Sequence, residues 1–219
     1  EALRTGTLLH PDAMRLIAAN LHLIDDEVRN NKEAHKLFIG LLLKHGNPER
    51  ALRRMNELGV LSAFIPEFAP IVAMMQFNMY HHYTVDEHLL RAIGILAEIE
   101  RGELVEELPV ASRILKAGVN RRVLYAALFL HDIAKGRPKD HSIAGAEVAE
   151  RLCPRLGFSA AETETVAWLI RDHLVMSTVA QSRDLSDRKT IEDFVATVQT
   201  VQRLKLLVVL TVCDIRAVG

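Results

Sequence analysis

The sequence predicts an all-α protein, and three observations predict it. Apolar residues recur at helical spacing almost throughout, and no stretch alternates apolar and polar with β-branched enrichment. Helix start and stop residues punctuate that pattern at regular intervals. The 219 residues are 49% hydrophobic but only 5% aromatic, so the core must be built mainly of Leu, Ile, Val and Ala. A chain of this length suits one domain of good size or one domain with a helical appendage.

The elements follow in order. "PDAMRLIAANLHLID" (11–25) and "NKEAHKLFIGLLLKHG" (31–46) read as helices, the second stopped by Gly46. "NPERALRRMNELG" (47–59) has Asn47 as N-cap, Pro48 at the first helical position and Gly59 as its stop. Residues 60–80 hold Pro66 and Pro70 and read as short helices and loops. "TVDEHLLRAIGILAEIERG" (84–102) opens with a capping box of Thr84 and Glu87 and stops at Gly102. "RRVLYAALFLHDIAKG" (121–136) is an apolar helix expected to run to Gly136. "SIAGAEVAERLCPRLG" (142–157) is helical until Pro154 ends or kinks it. "SAAETETVAWLIRDHLV" (159–175) opens with a second capping box, Ser159 with Glu162. "DRKTIEDFVATV" (187–198) and "VQRLKLLVVLTVCDIRAV" (201–218) close the helical series.

The bulk numbers exclude some function classes. A net charge of −1 supplies no global basic field, so nucleic acid is not an expected partner. The longest apolar stretch, "LLVVLTVC", is far short of a membrane span. Cys153 and Cys213 have no CxxC partner and read as reduced, buried thiols of a cytoplasmic protein. The first methionine is Met14 and the chain ends at "DIRAVG", so it is expected to be a piece of a longer protein.

Chemistry concentrates downstream of the first sixty-odd residues. Of ten histidines, four fall with two aspartates into an ordered series: His88, His131-Asp132, His141, His173 and Asp214. Each lies on or beside a predicted helix, and several adjoin apolar runs, so they should face a shared interior. Asp214 follows "LLVVLTVC", where an ionised carboxylate is costly unless paired or metal-bound. Taken singly these residues are unremarkable: a lone His-Asp pair arises by chance, His88 could pair with Arg91 on the surface, and Asp214 could be held by an arginine. Taken together on an all-helical background they read as one metal site. Six N/O donors without thiolate suit Mn²⁺, Mg²⁺ or Fe²⁺, as one ion or two. Such cations support phosphoester hydrolysis, with Lys135 and Arg137 as candidate phosphate contacts. His10, His22, His35 and His45 read as structural or exposed, and His81 and His82 as candidates to support the ligands from behind or to face the substrate.

The order His … His-Asp … His … His … Asp resembles the HD superfamily of metal-dependent phosphohydrolases. "FNMYHHYTVDEHLLRAIG", "LFLHDIAKGRPKDHSIAGAEVAERL" and "VAWLIRDHLVMSTVAQSRDLSD" resemble, more narrowly, the HD domain of the bacterial bifunctional uridylyltransferase/uridylyl-removing enzymes. That resemblance runs from about residue 64 to 219, and "NPERALRRMNELGVLSAFIPEF" is similar to the helical region before that domain. It implies an HD-domain helical bundle over 66–219 behind a helical lead-in over 1–65. It implies hydrolysis of the UMP–tyrosine bond on the uridylylated nitrogen-regulatory protein PII. By motif position His88, His131, Asp132 and Asp214 would be the core metal ligands. His141 and His173 match the extra histidines of two-metal HD domains, and Lys135 the lysine that follows the pair in some members; His131, Asp132 and Lys135 are the catalytic candidates. No nucleotidyltransferase signature occurs here, so that domain and the glutamine-sensing ACT domains would lie elsewhere in a parent chain. Two alternatives stay open: an HD hydrolase of small nucleotides, or a non-catalytic helical module.

Overall fold

The computed structural model describes residues 7–44, 46–75 and 83–218, and every regular element among them is helical. Six helices carry the site and its support. They are α4 (Pro48–Glu57), α6 (Val85–Arg101), α8 (Arg121–Leu130), α9 (His141–Arg155), α10 (Ala160–Arg171) and α13 (Val201–Arg216). The remainder are α1 (Pro11–Ala19), α2 (Asp26–Arg29), α3 (Lys32–Lys44), α5 (Val60–Phe64), α7 (Pro109–Ala117), α11 (Val175–Ser182) and α12 (Arg188–Val198). No single helix among the described residues is long and apolar enough to cross a membrane.

Local chemistry explains most boundaries. Asn47 caps α4 by accepting from the Arg50 N–H, and Pro48 occupies the first turn, where its missing N–H costs nothing. Ser159 and Glu162 form the expected reciprocal box at the start of α10. Pro154 sits in the last turn of α9, and the helix ends one residue later. Gly157 then turns left-handed at φ 82°, and the Phe158 N–H donates back to the Cys153 carbonyl.

Four expectations need correction. Thr84 makes no side-chain cap; Glu87 turns instead to Arg53 on α4. α8 stops at Leu130 rather than Gly136, and residues 131–136 form turns ending at Gly136 with φ 80°. The helix expected over 11–25 breaks after Ala19, where the Asn20 side chain takes the Leu16 carbonyl. The stretch after α10 breaks at Asp172 and resumes as α11, and α7, announced by Pro109 and the stop at Gly118, was not read from the pattern.

The core is centred on α6, whose Leu89, Leu90, Ile93 and Leu96 are fully enclosed by α4, α8 and α13. Burying each such side chain contributes about 1.5–3 kcal/mol. The N-terminal helices share this core. Phe38 on α3 meets Phe129 on α8 at 5.8 Å between ring centres, and Phe129 stacks on Phe68 at 5.3 Å. By contrast, α1 buries no residue. Cys153 and Cys213 are unpaired and buried, and burial raises the Cys153 thiol to about 12.

Candidate metal centre

The six singled-out residues arrive from five places in the chain. His88 stands on the first turns of α6, and Asp214 in the last turn of α13. His131 and Asp132 follow the end of α8, His173 follows the end of α10, and His141 is the first residue of α9. Asp140 sets that last position: it caps α9 by accepting from the N–H groups of Ser142 and Ile143. Gly145, one turn beyond His141, lets α9 close in. A Cβ there would lie 2.9 Å from Ile170 Cγ2 on α10 and 3.6 Å from the His131 carbonyl.

The structure brings all six together. His88 Nε2 lies 2.9 Å from Asp214 Oδ1 and 3.3 Å from His131 Nε2, and His131 Nε2 lies 3.3 Å from the same Asp214 oxygen. Asp132 Oδ2 is 3.8 Å from His88 Nε2 and 3.7 Å from His131 Nε2. Its other oxygen faces a second pair, 3.6 Å from His141 Nε2 and 4.0 Å from His173 Nε2. Asp132 thus stands between two donor groups, His88–His131–Asp214 on one side and His141–His173 on the other. Its carboxylate is 2% exposed, and Oδ1 has no hydrogen-bond partner.

Backbone carbonyls orient the rings. His131 Nδ1 is 2.8 Å from the Leu128 carbonyl, and His173 Nδ1 is 2.7 Å from that of Ile170. Both histidines lie just past a helix end, where the last four carbonyls lack intrahelical partners. The imidazole N–H satisfies one of them and, in doing so, turns its Nε2 lone pair inward. His88 Nδ1 faces the Ala217 carbonyl at 3.3 Å. These carbonyls were not singled out from sequence; the available signal was a histidine three residues after a carbonyl in a helix's final turn, seen twice.

The donor set fits a cation. With Nδ1 committed to carbonyls, three acceptor atoms (His88 Nε2, His131 Nε2 and Asp214 Oδ1) converge within 2.9–3.3 Å, which is repulsive unless a proton or a metal lies among them. The ionisation behaviour says the same. Burial pulls the His131 imidazolium down, but the Asp132 and Asp214 carboxylates outweigh it and raise it to about 9. Burial opposes charge on Asp214 as well, yet His131 and His88 hold it well below the carboxylate range. Asp132 is likewise lowered against its own burial by His131, Lys135 and His173. His173 differs: burial and the neighbouring His131 push it down to about 4.

Other candidates fall elsewhere. Lys135 Nζ sits 2.7 Å from Asp132 Oδ2 at the half-buried edge of the site, so it is first an ion-pair partner of Asp132. Arg137 is exposed on the following turn. His10 caps α1, His22 is exposed, and buried His35 bonds the Arg29 carbonyl. The readings for His45, His81 and His82 lie outside the described residues.

An all-helical bundle that gathers His, His-Asp, His, His and Asp around one buried carboxylate defines an HD domain. The HD domain family model matches residues 85–214, and the chain belongs to that family. A second model, "Uridylyltransferase GlnD third domain", matches residues 4–64. Over 219 residues the chain is 71% identical to the "Bifunctional uridylyltransferase/uridylyl-removing enzyme" of Ruegeria pomeroyi. It is 66% identical over the same span to the protein of that name from Cereibacter sphaeroides. Each match covers 100% of this chain and 24% of the relative, so the chain spans about a quarter of the length of these relatives. The family implies divalent metal binding, and the His/Asp cluster supplies its donors.

Proposed function

We propose that this chain is a metal-dependent phosphodiesterase that removes UMP from uridylylated PII, the uridylyl-removing half of a longer bifunctional enzyme. The single observation that carries the reading is Asp132, a buried carboxylate whose two oxygens face two separate histidine groups, one oxygen lacking any hydrogen bond. The relatives' name supplies the uridylyl group. We divide the chain into a helical lead-in (1–65) and an HD phosphohydrolase domain (66–219), and take a cytoplasmic setting with this reading.

His88, His131, Asp132 and Asp214 would hold one ion, and Asp132, His141 and His173 a second. Nitrogen and oxygen donors without thiolate favour Mn²⁺ or Mg²⁺, with Fe²⁺ also suited. When bound, such ions supply an activated water and neutralise charge on phosphoryl oxygens. The chain's own part is positional. The carbonyl-held rings keep the donors aimed inward, and the surrounding core excludes bulk water. Lys135, at the open edge, places an ammonium where a phosphoryl oxygen can meet it. Tyrosinate, with a pKa of about 10, leaves readily, so little general-acid help is required.

The test is UMP release from uridylylated PII in Mn²⁺, beside a His131→Ala/Asp132→Ala variant. Metal-dependent release that the variant lacks supports the reading. Mn²⁺ binding without UMP release overturns the substrate assignment, and release unaffected by the variant overturns the site.

A further inference from the structure

The first turn of α6 must place His88 to within a fraction of an ångström, because Nε2 lies 2.9 Å from Asp214 and 3.3 Å from His131. Yet that turn has no side-chain cap, since Thr84 makes none. What holds it comes from another element. Along one face of α4, Glu49, Arg53 and Asn56 recur at helical spacing, and each engages α6. Asn56 Nδ2 donates to Asp86 Oδ2 at 2.8 Å, two residues before His88. Arg53 binds Glu87 with one nitrogen and Glu49 with another, the latter at 2.7 Å. The Glu49 carboxylate lies over Gly94, where a Cβ would come within 1.9 Å of its oxygen. The strip therefore sets both the rotation and the axial register of α6.

The Asn56–Asp86 pair is also an expensive way to pack two helices. Asp86 is buried, and Asp86 Oδ1 and Asn56 Oδ1 both lack hydrogen-bond partners. Buried polar groups left part-satisfied cost free energy that an apolar contact would not. Packing alone does not account for them at this place; fixing one geometry does.

The geometry points to Asn56, with Arg53, as a positioning residue for the metal centre: through Asp86 and Glu87 it aims His88, and so makes metal affinity depend on a helix of the N-terminal segment. This rests on the metal-site reading above. The strip joins α4, within the segment matched by the third-domain model, to the HD domain's first ligand helix.

The test measures Mn²⁺ dissociation constants calorimetrically, together with the melting temperature of the metal-free protein. Wild-type protein comes first: no Mn²⁺ binding would remove the metal site and this inference with it. Asn56→Ala is expected to weaken Mn²⁺ binding about tenfold, at the lower end of what lost outer contacts cost a metal site. Asp86→Asn keeps an acceptor for Asn56 and is expected to stay within about twofold of wild type. Arg29→Ala is the comparison for stability alone, because it removes a part-buried bond to the Ala63 carbonyl, away from α6. If Asn56→Ala binds Mn²⁺ like wild type, or loses no more affinity than Arg29→Ala at a similar fall in melting temperature, the inference is overturned. Should Asn56→Ala not fold, Arg53→Ala, which frees Glu87 and Glu49, is read against the same limits.

Discussion

The two halves of the centre are built differently. His88, His131 and Asp214 converge within 3.3 Å, the two rings fully buried and each facing a carbonyl through Nδ1. His141 and His173 stand 3.6 and 4.0 Å from Asp132, much as His88 and His131 do at 3.8 and 3.7 Å, but Asp214 joins only the first pair. His141, the first residue of its helix, is 27% exposed in its side chain, and only His173 has a carbonyl behind it. The lesson is that donor count does not measure a site. The first half is held on every side by buried neighbours and backbone carbonyls, so little ordering is left to oppose binding. The second half has in His141 a half-buried ring with more freedom to lose.

The comparison can be broken at its shared member. Asp132→Ala takes one donor from each half, and both Mn²⁺ binding and hydrolysis should fall by more than the ~10–100-fold typical of losing an outer partner. Calorimetry and UMP release check this; retention of either contradicts the bridging geometry. His88→Ala should come next, weakening the tighter ion by about a hundredfold. It should also cut the Mn²⁺-induced stabilisation, read as a rise in melting temperature, from about 2.7 kcal/mol for wild type at 100 times its dissociation constant to about 0.4 kcal/mol at the same Mn²⁺ concentration. His141→Ala should be milder, lowering the number of ions bound per chain while leaving the tighter affinity within about threefold. Equal losses from His88→Ala and His141→Ala would erase the distinction between the halves.

The smallest effect is in pH. His131 is raised from 6.5 to about 9 in the metal-free fold, because two carboxylates outweigh its burial. A raised imidazolium contributes stability that is fully present below about 6.5 and is lost as pH rises through about 9. The metal-free melting temperature should therefore fall across that interval. Mn²⁺ needs the ring neutral, so its stabilising increment should grow over the same interval. His173, lowered to about 4, is already neutral there, and the second half should take up its ion without releasing a proton from that ring. Flat curves with and without metal would show that His131 holds no such proton.

Reading the sequence worked where the governing physics is local. Asn47–Pro48 and the Ser159–Glu162 box opened helices as expected, because cap chemistry needs only residues within one turn. It failed at Thr84, where an equally good box lost Glu87 to Arg53, a partner 34 residues away. It failed again past Leu130, where apolar periodicity continued but the chain left the helix to turn His131 and Asp132 inward. In both places a tertiary contact overrode local preference, and both lie at the site.

The sequence by itself determined the helical class and most helix starts, and it singled out six residues that the fold brings together, since periodicity, caps and residue chemistry are written along the chain. Only the tertiary structure decided that Asp132 divides those six into two groups and that helix-end carbonyls choose the ring tautomers. It alone showed a strip on α4 holding the helix of His88 in register. These depend on distances between groups up to 129 residues apart, as between His88 and Ala217. Such distances are set when the core closes and each helix finds its rotation, and no run of neighbouring residues encodes them.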